Sequence, residues 1–160
     1  MNKLHKLLAA ATLLAASGLL AWPQHANSQA PQTDDSIPAF HSEPPKDALP
    51  PTMEPSLFTD FEMFNAYTVA GRVKKVLYQQ PCYCHCDRSQ GHQSLLDCFA
   101  SRHGSGCNIC MGEAFYSYEQ THKGKTPAQI RDGIIHGEWQ KVDLTKYQKS
   151  YLPSANTTGK

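Results

Sequence analysis

The sequence carries no excess charge of either sign. Fifteen Lys and Arg against fourteen Asp and Glu leave a formal net charge of +1, so no bulk charge draws the chain to nucleic acid or to an anionic membrane. Its one sustained apolar run, residues 7–21, falls short of the roughly 20 residues that a membrane helix needs. No segment alternates apolar and polar residues as a half-buried strand does, and no internal repeat is present. Gly104 and Gly106 precede a cysteine pair, not a Lys-Ser/Thr, so there is no phosphate-cradling loop. No paired carboxylates suggest hydrolysis. Met111, not histidine, follows Cys107-Asn108-Ile109-Cys110, which excludes haem attachment. There is no His-x-x-x-His and no repeated C-x-x-C of a zinc-finger class. Nothing here marks an enzyme.

What is present begins with an export signal. Lys3, His5 and Lys6 precede the apolar run, and the small residues Ala26 and Ser28 suit cleavage after Ser28. Without a twin arginine the route is general secretion, and without a nearby cysteine there is no lipid anchor. The expected product is periplasmic or secreted, with no membrane span once residues 1–28 are removed. Folded export is what an iron–sulfur centre would require, so that centre is set aside. Residues 29–55 hold seven prolines (Pro31, Pro38, Pro44, Pro45, Pro50, Pro51 and Pro55) among polar residues and read as a disordered spacer. Residues 56–140 form the expected domain, and 141–160 a polar tail.

Helical punctuation runs through the domain. Thr59 is placed to cap a helix through Phe61, Phe64 and Thr68, with a kink near Gly71 and a stop at Pro81. Ser94 and Asp97 have capping-box spacing ahead of a short helix to Ala100. A third helix starts near Cys107, with positions 107, 110, 111, 114 and 118 on one face. Thr126-Pro127 opens a last helix toward Trp139. The predicted fold is all-α, about four short helices with long loops. Phe61, Phe64, Ile130, Ile134 and Trp139 are its core candidates.

All six cysteines fall inside this domain. Cys82, Cys84 and Cys86 form C-x-C-x-C in a loop, where alternate residues point the same way. Cys98 lies on the apolar face of the second helix. Cys107 and Cys110 form C-x-x-C at a helix start, where free amides and the dipole favour thiolate. Thiolates select soft ions, so the leading reading is one centre for Cu(I) or Zn(II), with His85 as an added ligand. Met111, His92 and His103 are also available donors, though a core role for Met111 and loop roles for the histidines are the plainer readings. Asp87, Asp97 and Glu113 are placed to orient a ligand. Thiol–disulfide exchange is the alternative, with Cys107 attacking and Cys110 resolving, but without the βαβ context of thioredoxin. Three structural disulfides are the third reading, since small exported domains often need staples.

These residues also carry a resemblance. Pro81-Cys82-Tyr83-Cys84-His85-Cys86, Leu96-Asp97-Cys98-Phe99, Cys107-Asn108-Ile109-Cys110 and the helix with Lys123-Gly124-Lys125 and Ile130-Arg131 resemble the PCYCGC-motif (CYCxC) family. Its members are bacterial exported proteins and lipoproteins without an assigned function. This chain differs in having His85 where the family motif has glycine.

Overall fold

A computed structural model describes residues 36–153. Five α-helices follow one another: α1 (Phe61–Arg72), α2 (Lys74–Leu77), α3 (Cys86–Ser89), α4 (Asn108–His122) and α5 (Pro127–Ile135). Short 3-10 turns join them, notably Leu95–Phe99, Arg102–Gly106 and Glu138–Lys141. No strand occurs among the described residues, as expected. The apolar segment read as an export signal lies outside them. No described helix is long and apolar enough to cross a membrane.

The cap of α1 is Asp60, not Thr59: its carboxylate accepts from the Met63 amide at 3.0 Å. The expected kink falls two residues past Gly71, at Val73, whose backbone leaves helical geometry (φ −117, ψ 28). Val73 and Leu77 thereby stay buried although the chain changes direction. At α5 Thr126 is the cap, as expected, and Gln129 completes a capping box with it, Thr126 N donating to Gln129 Oε1 at 2.9 Å and Gln129 N to Thr126 Oγ1 at 3.3 Å. That helix ends at Ile135, ahead of a left-handed Gly137 (φ 71).

Helix α4 is the axis of the fold. Residues 110–117 are buried without a break, so no single apolar stripe describes it. Ala114 and Phe115 face the main core with Tyr67, Val69, Leu77, Leu95 and Phe99, while Tyr116 joins Ile130 and Ile134 in a second cluster. Ile130 and Ile134 are core residues as expected, whereas Phe61, Phe64 and Trp139 are only half buried.

The packed unit extends beyond 56–140. Residues 36–55, expected as a solvated spacer, lie along the domain as an extended strap. Ala39 N donates to Asp87 Oδ2 at 3.2 Å, Met53 N donates to the Phe99 carbonyl at 2.8 Å, and His41 stacks on Tyr78 at 3.8 Å. Proline removes ladder and helix bonds but does not stop the apolar residues between prolines from docking. Leu49 and Met53 pack against the core, and Arg131 sits 4.6 Å over the Phe40 ring. Beyond residue 140, Tyr147 is buried and stacks on Phe115 at 3.7 Å. Asn65, fully buried on α1, donates to the carbonyls of Tyr147 and Ser150 and accepts from Leu152 N.

Candidate metal centre

Pro81 ends the α2 region and delivers the chain to the cysteine loop. Gln80, fully buried, holds this approach: its side chain donates to the Val76 and Pro127 carbonyls, and its own carbonyl accepts from Leu95 N at 2.9 Å. The loop is a turn, not an extended stretch, closed by His85 N donating to the Cys82 carbonyl at 3.0 Å. Its floor is Glu113 of α4, whose Oε1 accepts from Tyr83 N at 2.9 Å. His85 then takes a left-handed conformation (φ 55) and starts α3 with Cys86. Curvature, rather than strand alternation, aims the three thiols together.

Cys98 arrives on the Leu95–Phe99 turn, which Asp97 anchors by accepting from Gln93 N (2.7 Å) and Ser94 N (3.2 Å). The next turn passes so close that a Cβ on Gly104 would lie 2.9 Å from the Cys98 carbonyl oxygen. Tyr67 of α1 pins this turn, donating to the Ser101 carbonyl (2.6 Å) and accepting from Ser105 N (3.1 Å). Cys107 caps α4 and Cys110 lies one turn on.

All six sulfurs gather at one place. Cys82, Cys84 and Cys110 form a tight triangle with Sγ separations of 3.4, 3.4 and 3.5 Å. Cys86 and Cys98 lie 3.3 Å apart. A disulfide needs about 2.05 Å, and all six cysteines are free. Among the described residues, donor atoms within 4.8 Å of one another also include four groups: Cys82-Cys98-Cys110, Cys82-Cys84-Cys86, Cys84-Cys107-Cys110, and Cys86-His92-Cys98-His103. In a tetrahedral zinc–thiolate site, Zn–S bonds of about 2.3 Å place sulfurs roughly 3.8 Å apart. The observed spacing is of that order.

His85, expected as a ligand, joins none of these groups; its ring lies 6.0 Å from that of Tyr83. Two other histidines, His92 and His103, stand in the fourth group. His92 Nδ1 sits 3.4 Å from Cys98 Sγ, and the His103 ring is edge-on to it at 5.0 Å. His103 Nε2 is buried with no hydrogen-bond partner. Spacing gave no signal for this pair, because each stands in a loop that only tertiary packing brings to Cys98. Met111 is buried in the main core. Pro38 and Ala39 of the strap line a small cleft with Cys82, Cys86, Asp87 and His92.

Crowding sets the proton inventory. Contacts with Cys110 and Cys82 draw the Cys84 thiol far below its ordinary range. Its neighbours move the other way: Cys110 and then Cys84 raise Cys82, Cys82 and Cys84 raise Cys86, and Cys110 followed by Cys82 raises Cys98. For Cys110 the pull of Cys82 is downward, but Cys84, burial and Cys107 push it up to about 11. In the metal-free cluster ionisation is thus most favoured at Cys84, and each further anion there would be uncompensated. Burial pushes Glu113 up to about 8, against the stabilising Tyr83 amide. A cation is what would let more of these sulfurs ionise.

No curated protein and no solved structure matches this chain. A family model does match, described as a protein of unknown function with PCYCGC motif, over residues 24–151. That span takes in the strap and the ordered C-terminal segment as well as the cysteine loop.

Proposed function

The chain belongs to the PCYCGC-motif family, whose function is unknown, and we propose from its site that it is an exported protein that binds a soft metal ion, Cu(I) or Zn(II), through clustered thiolates. The observation that carries this is the convergence of six sulfurs from three separate segments, five of them in contacts of 3.3–3.5 Å and none at bonding distance. Disulfide staples would gain most by closing long loops between separate sulfur pairs. Here instead Cys82, Cys84 and Cys110 meet at one point, which suits sharing of a cation. Soft thiolates select Cu(I) or Zn(II) over hard ions. Export is supported by Lys3 and Lys6, the apolar run at 7–21 and the small residues Ala26 and Ser28. The ligand set is Cys82, Cys84, Cys86, Cys98, Cys107 and Cys110, with His92 and His103 beside it.

The test is to isolate the protein without chelator or reductant and measure metal content, intact mass and free thiols together. The expected result is bound soft metal, reduced cysteines and a mature chain starting at Gln29. A metal-free product about six mass units light, two for each of three disulfides, refutes metal binding in favour of staples.

A further inference from the structure

We propose that the centre is a tetranuclear, thiolate-bridged Cu(I) cluster, and that His92 or His103 supplies the last ligand of its fourth position. This rests on the soft-metal reading above and deepens it.

The four donor groups interlock. Cys82 belongs to two of them, as do Cys84, Cys86, Cys98 and Cys110; Cys107 belongs to one. A thiolate sulfur has lone pairs enough to bind two cations at once, so membership of two groups is chemically usable. Three groups offer three sulfurs each, and the fourth offers two sulfurs and two imidazoles. Four three-coordinate ions need twelve metal–ligand bonds. The five shared sulfurs supply two each, and Cys107 and one histidine supply one each, so all six sulfurs are used and one imidazole completes the twelve.

A single ion on the tight Cys82-Cys84-Cys110 triangle would leave the rest unexplained. It would not account for Cys86 and Cys98 at 3.3 Å, for His92 Nδ1 at 3.4 Å from Cys98, or for the partnerless His103 Nε2. Zinc seeks four protein donors in a closed site, and among the described residues only the Cys86-His92-Cys98-His103 group has four. The three all-sulfur triads therefore favour Cu(I). Each cysteine loses its proton to solvent on loading, and no electron is transferred. Four Cu(I) against six thiolates leave a residual charge of −2, much smaller than six bare thiolates would carry in a buried site.

The reduced, metal-free full chain should be titrated anaerobically with Cu(I) against a chromophoric Cu(I) chelator, and each step read by native mass spectrometry. The expected end point is four copper ions per chain, one for each donor group. Species with one to three ions should be scarce, because bridging sulfurs couple the positions. His92→Ala combined with His103→Ala should lose the fourth ion and retain three. Saturation of the wild type at one or two ions would overturn the cluster and leave soft-metal binding intact. Failure to bind either Cu(I) or Zn(II) would overturn both. Retention of four ions by the double variant would overturn the histidine assignment.

Discussion

Replacing Glu113 by glutamine should change how the stability of the reduced, metal-free protein depends on pH. Glu113 is fully buried, and burial raises its carboxyl to about 8, against an ordinary value near 4.3 in an unfolded chain. Between those values the unfolded chain has already released a proton that the folded chain still holds. Stability is therefore fully present at low pH and is lost as pH rises through the folded value. Integrating that difference gives a loss of about 3 kcal/mol between pH ~5 and ~7.5. A glutamine side chain at this position would keep an oxygen to accept from Tyr83 N, now 2.9 Å from Glu113 Oε1, and has nothing to ionise.

Other groups titrate too, and Cys84 acts with the opposite sign. Its depressed value adds stability as pH rises. The quantity to read is therefore the difference between wild type and Glu113→Gln, in which terms common to both proteins cancel. Urea unfolding at several pH values, with chelator and reductant present, gives it directly. The two proteins should be close in stability at pH ~5, and the variant should be about 3 kcal/mol more stable at pH ~7.5. A flat difference across that range would refute the reading of Glu113 as a buried neutral acid under the cysteine loop.

Asn65→Ala should cost about 2–4 kcal/mol, since it leaves the Leu152 amide and two carbonyls without their partner; chemical denaturation gives the cost, and limited proteolysis should release the C-terminal segment first. Gly133→Ala should destabilise by about 1–3 kcal/mol, because its Cβ would overlap Tyr116 Oη. Adding Tyr116→Phe should recover part of that loss, and thermal melts of the single and double variants check the coupling. His85→Gly should raise stability by up to about 1 kcal/mol by relieving a left-handed non-glycine residue, with copper stoichiometry unchanged; a lost equivalent would make His85 a ligand after all.

What the sequence disclosed was local. The C-x-x-C at a helix start and the Thr126-Pro127 start each depend on neighbours a few residues away, and each was found in place, while the helix expected to stop at Pro81 already ends at Leu77. What escaped depends on partners far along the chain. The strap is held by Asp87, Phe99, Tyr78 and Arg131, and proline density says nothing about such docking. The burial of residues 110–117 of α4 comes from α1, α5 and the segment around Tyr147 closing on it, so that stretch shows no polar face to read. His92 and His103 became neighbours of Cys98 only through tertiary packing around two 3-10 turns, one of them seated through Gly104.

Burial of the thiols also determines how such a centre would load. Cys82, Cys86, Cys98 and Cys110 are at most 3% exposed and share one core with Leu95, Phe99 and Phe115. A protonated thiol packs as a small apolar group, so the metal-free domain retains a conventional core, with ionisation favoured at Cys84. Cys84 and Cys107 are the two cysteines that remain half exposed. An ion arriving from solvent thus meets Cys84, whose thiol its neighbours draw down, at the rim, with Cys107 and Cys110 in the same donor group. Each ion bound there adds positive charge beside the raised thiols of Cys82, Cys86 and Cys98, which favours their ionisation in turn. Loading from the rim inward follows from the proton inventory, and substitution of Cys84 should slow uptake more than substitution of Cys98; stopped-flow mixing with Cu(I) would reveal the opposite order if the entrance lay elsewhere.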